Sequence, residues 1–227
     1  MNYTLKSADE PFCNISDVRW KKALQFILAE HPLNVLDLGC GAGNISSLLL
    51  KHGLRVFGMD RDAAKLKEAG IKGIFTAQAN LMGSLPVKSD CFDVVFAGEI
   101  IEHLIDTDFF LEEIHRVLKR SGTLVLTTPN LCNIENRLRI LIGRYPIFVD
   151  YTCRGDNHLR VYNTRAIKKQ IEERGFRIQE LTGSFIPPIS YSLLKGLTTT
   201  LMPILGWLGD IFPGFALHVI VKAHKIE

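Results

Sequence analysis

The stretch Val35-Leu36-Asp37-Leu38-Gly39-Cys40-Gly41-Ala42-Gly43-Asn44 decides how the rest of the chain is read. A short apolar run holding one acid, then glycines at alternate positions, then a polar residue heading an amphipathic segment, describes a buried strand turning into a helix. Glycine adopts positive φ without a steric penalty and lets a ligand approach the main chain, while a helix start offers unpaired N–H donors. A small polar ligand fits such a turn. So does a plain strand-to-helix connection.

Outward from the turn, apolar runs alternate with amphipathic stretches, the pattern of an α/β domain with a mostly parallel sheet. The spacing predicts a helix over Asp17–Ala29, a strand over Asn34–Leu38 and a helix over Asn44–Lys51. It continues with a strand over Arg55–Asp60, a helix over Asp62–Ala69, and strands over Gly73–Ala77 and Phe92–Ala97. A helix over Asp108–Leu118, ended by Ser121-Gly122, leads into a strand over Thr123–Thr128. The rhythm then breaks for about 35 residues containing Gly143, Pro146 and Gly155. It resumes with a helix over Thr164–Arg174 and strands over Phe176–Leu181 and Phe215–Ala223. We expect one domain over 1–227, with 131–163 as a substrate-side insertion and 183–214 as an apolar helical cap or interface.

Composition narrows the function. The 227 residues carry 27 basic and 24 acidic side chains, a net charge of +3, which gives no electrostatic case for nucleic acid. The five cysteines, Cys13, Cys40, Cys91, Cys132 and Cys153, are odd in number and lack C-x-x-C spacing, so neither a disulfide framework nor a zinc site is expected. That cysteine usage points to a reducing cytoplasm, and residues Met1 to Ser7 lack the basic start and apolar core of a signal peptide, so export is not expected. Mean hydropathy is +0.13, and its source is local. From Leu181 to Ala223 the only charged residues are Lys195, Asp210 and Lys222.

Asp60 closes the second predicted strand about twenty residues beyond the turn, where a carboxylate can accept from both ribose hydroxyls. It can equally serve the start of the following helix. A nicotinamide dinucleotide would also use such a pair, but the turn reads G-x-G-x-G rather than G-x-G-x-x-G, with Asp37 two residues ahead of it. A nearby carboxylate repels a pyrophosphate and attracts an ammonium group.

The segments VLDLGCGAGN (35–44), GMD (58–60), ANLMGSLPVKSDCFDVVFAGEIIEHL (79–104) and LEEIHRVLKRSGTLVLTTPN (111–130) together resemble the class I S-adenosylmethionine-dependent methyltransferases. The resemblance implies a Rossmann-like seven-stranded sheet, mostly parallel with an antiparallel last strand and helices on both faces. It implies S-adenosyl-L-methionine as cofactor and S-adenosyl-L-homocysteine as product. The cofactor residues it implies are Asp37, Gly39, Cys40, Gly41, Gly43, Asp60, Arg61, Asn80, Leu81 and Glu99. Many relatives have Asp at the position of Asn80; the amide keeps one carbonyl acceptor for the adenine amino group but loses charge assistance.

Glu99-Ile100-Ile101-Glu102-His103 follows the fourth predicted strand. In a helix, Glu99, Glu102 and His103 share one face, where they could hold a divalent cation that acidifies a substrate hydroxyl. His103 alone could act as a base, or the group could serve the cofactor site or the helix start. This E-x-x-E-H arrangement resembles that of the ubiquinone-pathway O-methyltransferases. Further on, Arg137, Arg139, Arg144, Arg154, Arg160 and Arg165 face only Asp150 and Asp156, a local excess of four positive charges. They mark an anionic ligand or surface, or a solvated helix face. Asn133 to Arg139 with His158-Leu159-Arg160 looks like methyltransferases associated with surface glycans, and His158 and Tyr162 are candidate substrate-facing groups.

The tail from Ile186 to Phe215 is apolar but interrupted by Pro187, Pro188, Pro203 and Pro213, too broken for a membrane span. It reads as a pocket cap, a homodimer interface or a patch for peripheral contact with the inner membrane surface. The expectation is a methyltransferase acting on a hydroxyl of a small or lipid- or glycan-linked acceptor, with His103 and His158 as candidate catalytic groups. The rival is a cofactor-binding or membrane-associated protein without transfer.

Overall fold

The computed structural model describes residues 13–149, 158–187 and 198–226. The N-terminal stretch read for a signal peptide lies outside these residues, as do Asp150, Cys153, Arg154, Asp156, Asn157, Pro188 and Lys195. Seven strands form one sheet: β1 Asn34–Leu38, β2 Arg55–Asp60, β3 Phe75–Gln78, β4 Phe92–Gly98, β5 Leu118–Pro129, β6 Phe176–Gly183 and β7 His218–Lys225. Their order is β3-β2-β1-β4-β5-β7-β6. The pairings from β3 to β5 are parallel, and β7 runs antiparallel to both neighbours. The expected Rossmann-like architecture is therefore the observed one. Strand order reverses between β1 and β4, so their carboxyl ends open a crevice, the usual ligand position in such sheets.

Among the described residues seven helices accompany the sheet: α1 Cys13–Ala29, α2 Ser46–Leu50, α3 Ala63–Ile71, α4 Thr107–Val117, α5 Ile134–Leu141, α6 Thr164–Glu173 and α7 Thr198–Ile211. Alternate strand residues feed two cores, as the two-residue period of a strand requires. Val35, Val56, Val94 and Val125 pack with Ala23 and Ile27 of α1 and Leu49 of α2. Leu36, Val95, Leu124 and Val221 face the other way, onto Phe110 and Ile114 of α4 and Ile167 of α6. Asp62, Asp106, Asn133 and Asn163 cap α3, α4, α5 and α6 through their side-chain oxygens. Each such cap is worth about 1 kcal/mol.

Two boundaries are corrected. Ser121-Gly122 does not end a helix: α4 stops at Val117, and both residues lie inside β5, where Ser121 has φ 57° and the register against β4 shifts between Phe92 and Val94. The turn-like pair marks a bulge in the strand. Phe215, expected in the last strand, stands instead in a short 3-10 turn, Pro213–Phe215, ahead of β7.

α1 and α7 are tied together by one ammonium. Lys22 Nζ donates to the carbonyls of Gly183 (2.8 Å), Ser184 (3.1 Å) and Gly206 (2.9 Å) and pairs with Asp210 Oδ1 at 2.6 Å. Asp210 also accepts from the Thr182 hydroxyl. The apolar C-terminal helix is thus pinned to β6 and to the helix that walls the crevice.

Candidate active site

The glycine turn closes β1 against β2. The N–H groups of Gly39 and Cys40 both donate to Met59 O, at 2.8 and 3.1 Å. Gly41 N–H donates to Asp60 Oδ2 at 2.8 Å, and Asp60 Oδ1 accepts from Asp62 N–H at 2.9 Å. The helix cap belongs to Asp62, which leaves Asp60 at the rim of the turn with carboxylate lone pairs to spare. Gly41 has φ 51°, and an added Cβ would meet only Lys65 Cδ at 3.9 Å, so backbone conformation selects glycine there; at Gly43, φ 73°, an added Cβ would also strike Ile74.

Beside the turn lies a cleft of about 570 Å³, walled by Arg19 and Trp20 of α1, Asp37, Gly41, Lys65 and Glu99 among others. That volume suits a nucleoside with an amino-acid tail. Asp37 is buried, and burial pushes its carboxyl up to about 6 against the opposing pull of the Ser46 hydroxyl, which donates at 2.5 Å. Such a carboxylate gains from a cationic partner. Cys40 also lines the cleft, but burial and the two nearby aspartates push its thiol up to about 12, so it packs rather than reacts. Its sulfur explains Gly58, where an added Cβ would lie 2.6 Å from Cys40 Sγ.

Five expected cofactor residues lie outside the walls of this cleft: Gly43 and Asp60, which adjoin it in the turn and at its rim, and Leu81, Asn80 and Arg61. Leu81 is buried beneath the segment that follows β3. Asn80 is exposed, and its Oδ1 accepts from Met82 N–H at 3.1 Å, so one lone pair of the amide already holds the local turn. Arg61 is exposed, and its carbonyl accepts from Gln78 Nε2 at 2.9 Å.

The helix expected through E-x-x-E-H does not form. Glu99 has φ 53°, and only Ile101–His103 makes a single 3-10 turn, so Glu99 leaves the face it was expected to share with Glu102 and His103. Its backbone N–H and its carboxylate are both taken by Thr127 of β5, while the carboxylate pairs with Arg19 at 2.6 Å. The set that does converge is Glu102, His103 and His158, whose ligand atoms lie within 4.8 Å of one another. The His103 and His158 rings meet edge to face at 4.8 Å. Glu102 is buried, and burial with the neighbouring Glu99 charge pushes its carboxyl up to about 8. Its Oε2 accepts from the Thr128 hydroxyl, its carbonyl accepts from Leu159 and Arg160 N–H, and its Oε1 has no partner among the described residues.

His218, at the start of β7, is a site residue that sequence reasoning missed. Its Nε2 lies 3.6 Å from Glu99 Oε2 and its ring 5.5 Å from that of Phe148. Burial, together with the Arg19 and His158 charges, holds the imidazole well below its ordinary range and therefore neutral. Arg19, on the opposite wall, places its guanidinium over Trp20 at 4.0 Å, and its buried Nε lacks a partner among the described residues. No motif announces either residue; only the fold unites α1, β4 and β7.

Other expectations change character. Tyr162 is buried, and its carbonyl accepts from Leu131 N–H at 2.7 Å, so it packs beneath the loop instead of facing substrate. Asn133 and Asn136 are buried and satisfied, the first capping α5 and the second holding Leu131 and Ile147. Arg137 bonds Cys132 O, Arg139 pairs with Glu135, and Arg160 bonds Ile105 O. These arginines are scattered over loop and helix rather than aimed at one point.

Comparison with known proteins fits this geometry. Residues 36–126 match the model of a methyltransferase domain. A probable S-adenosylmethionine-dependent methyltransferase of Mycolicibacterium smegmatis is 30% identical over 67% of this chain and 55% of its own length. The mitochondrial ubiquinone biosynthesis O-methyltransferase of Rattus norvegicus is 26% identical over 70% of this chain and 48% of its own. The chain thus spans about half the length of these curated relatives. Among solved structures, an S-adenosylmethionine-dependent methyltransferase from Mesorhizobium loti shares the fold, with a TM-score of 0.65 and 18% identity over 92% of this chain and 98% of that one. With the domain match lying over this sheet and this glycine turn, the chain belongs to the class I S-adenosylmethionine-dependent methyltransferase family.

Proposed function

We propose that the protein transfers a methyl group from S-adenosylmethionine to a hydroxyl of a small or lipid- or glycan-linked acceptor. The observation that carries this reading is the cleft itself. It joins a positive-φ glycine turn, with Asp37 and Asp60 beside it, to the Arg19–Glu99–His218 cluster at its other end. The cofactor supplies a sulfonium-activated methyl group. Asp60 is placed to accept from ribose hydroxyls, Asp37 and Glu99 favour positive charge, and Lys65 and Arg19 offer partners for a carboxylate. Methyl transfer is an in-line displacement in which charge disappears, so orientation and exclusion of water supply most of the catalysis.

An oxygen acceptor fits the neutral His218, which can take a hydroxyl proton as the oxygen–carbon bond forms. The likeness to an O-methyltransferase points the same way. His103 and His158 stand on the acceptor side, next to Phe148, whose carbonyl lies 2.9 Å from His158 Nδ1. A second reading adds a divalent cation. The unpartnered Glu102 Oε1 beside two imidazoles is a set that such an ion would satisfy, with His158 in the place first given to Glu99.

The test is transfer of labelled methyl from the cofactor into lipid and glycan extracts and a panel of phenols. Label in a hydroxyl, lost in His218→Gln while cofactor affinity stays within threefold, is the expected result. Cofactor binding with no labelled product in any fraction would favour the rival, binding without transfer. A rate unchanged by chelator would remove the cation.

A further inference from the structure

We infer that the tip of α5 and the outer face of α7 form a docking surface for an anionic phospholipid bilayer. Two segments far apart in sequence expose apolar side chains where each could have been polar. At the end of α5, Ile140, Leu141 and Ile142 are 58%, 80% and 65% exposed, three apolar residues in succession. On α7, Ile204 and Trp207 share one face, and Phe212 follows just beyond its end; Trp207 is 59% exposed. α5 meets the turn that follows α7, because the Arg137 guanidinium lies 4.5 Å over the Phe215 ring and its Nη2 donates to Gly214 O at 3.3 Å. Scattered exposed leucines need no explanation, but apolar clusters on joined elements mark an interaction site.

Charge complementarity selects the occupant. Residues 131–149 contain Arg137, Arg139 and Arg144 against the single acid Glu135, and the one acid of α7, Asp210, is engaged by Lys22. Arginines on the segment that carries these apolar side chains, Arg137 stacked on Phe215 among them, match the headgroup boundary of an anionic leaflet, where basic groups meet phosphate and aromatic rings sit at interfacial depth. A second copy of the chain fits worse, since a two-fold interface places the same patch on both partners and brings two surfaces of like charge together. The bilayer is met along its surface: α7 has 14 residues, about 21 Å of helix against a hydrocarbon core of about 30 Å. No helix of the described residues is long and apolar enough to cross a membrane. This surface is distinct from the cofactor cleft, so it stands or falls apart from the methyl-transfer reading.

Co-sedimentation of the full-length protein with vesicles tests the surface. Vesicles of phosphatidylcholine alone are compared with vesicles containing phosphatidylglycerol, at low and raised salt. Binding should favour the anionic vesicles and weaken as salt screens the arginines. Trp207→Ser with Phe212→Ser should lower partitioning about tenfold or more. Arg139→Glu with Arg144→Glu should erase the preference for anionic lipid while leaving residual apolar binding. Leu141→Ser provides an independent variant on the other segment and should weaken binding as well. The cofactor-induced thermal shift of each variant reports its fold without using the surface. Vesicle binding that is absent, or equal in wild type and all folded variants, overturns the proposal. So does a dimer, seen by light scattering, that the Trp207 and Phe212 substitutions dissociate; the patch would then be a self-interface.

Discussion

Replacing Asp37 by Asn should make the cofactor-free protein more stable at neutral pH and weaken its hold on S-adenosylmethionine. Asp37 is fully enclosed, its one hydrogen bond to a side chain coming from Ser46, and burial lifts its carboxyl from 3.8 to about 6. A group whose folded value is raised stabilises the fold fully below its unfolded value, and that contribution is lost as pH climbs through the folded value. The window here is from 3.8 to about 6. At about 1.4 kcal/mol per pH unit, the loss amounts to roughly 3 kcal/mol. Asn keeps the shape and an acceptor for the Ser46 hydroxyl but carries no charge. The variant should therefore melt higher than wild type by an amount that grows across the window and levels off above it. The plateau should be about 6–12 °C for a chain of this size. Saturating cofactor should reverse the ranking, because the buried charge is then matched by an ammonium group, and affinity of the variant should fall about tenfold or more. Thermal melts from about pH 4 to pH 8, with and without S-adenosylmethionine, make the measurement. Parallel melting curves for the two proteins, or an unchanged dissociation constant, would refute the claim that Asp37 is a buried charge waiting for a cation.

Other substitutions reach the remaining parts of the site. Asp60→Asn should cost tenfold or more in calorimetric cofactor affinity, since both the ribose acceptor and the bond to Gly41 are weakened. Gly58→Ala should destabilise by about 2 kcal/mol through its clash with Cys40 Sγ; Cys40→Ala should restore part of that in a double-mutant cycle, and strict additivity would contradict the packing. His218 is held neutral, so the stability it confers is present above its ordinary range near 6.5 and falls as pH drops below that; His218→Gln should flatten this acid limb in denaturant titrations. Lys22→Met should cost about 3 kcal/mol in the same assay, because it strands three carbonyls and a carboxylate.

Much of this fold was legible because it is written in local rules. Strand alternation and the glycines at 39, 41 and 43 follow from two-residue periodicity and positive φ, and both survive in the structure. Asp60 was ambiguous in sequence because Asp62 stands beside it; the hydrogen bonds separate their roles. Glu99 misled because helical spacing presumes a helix, and a single left-handed residue that is not itself glycine redirects the chain. Ser121-Gly122 misled for the opposite reason: a turn-like pair also suits a bulge. Arg19, His218 and Lys22 were illegible in principle. Their importance lies in partners 80 to 188 positions distant, which no window of sequence contains.

The Lys22 clamp also orders events in time. Its oxygens lie 161 to 188 positions further along the chain, on segments the ribosome delivers later. At roughly 5–20 residues per second, the glycine turn leaves the ribosome many seconds before the helix that fastens α1. A nascent chain therefore holds the floor of the cofactor cleft long before its Arg19 and Trp20 wall is secured. Cofactor capture becomes a late step in biogenesis, and a chain cut short before α7 would be a poor competitor for the cell's methyl donor.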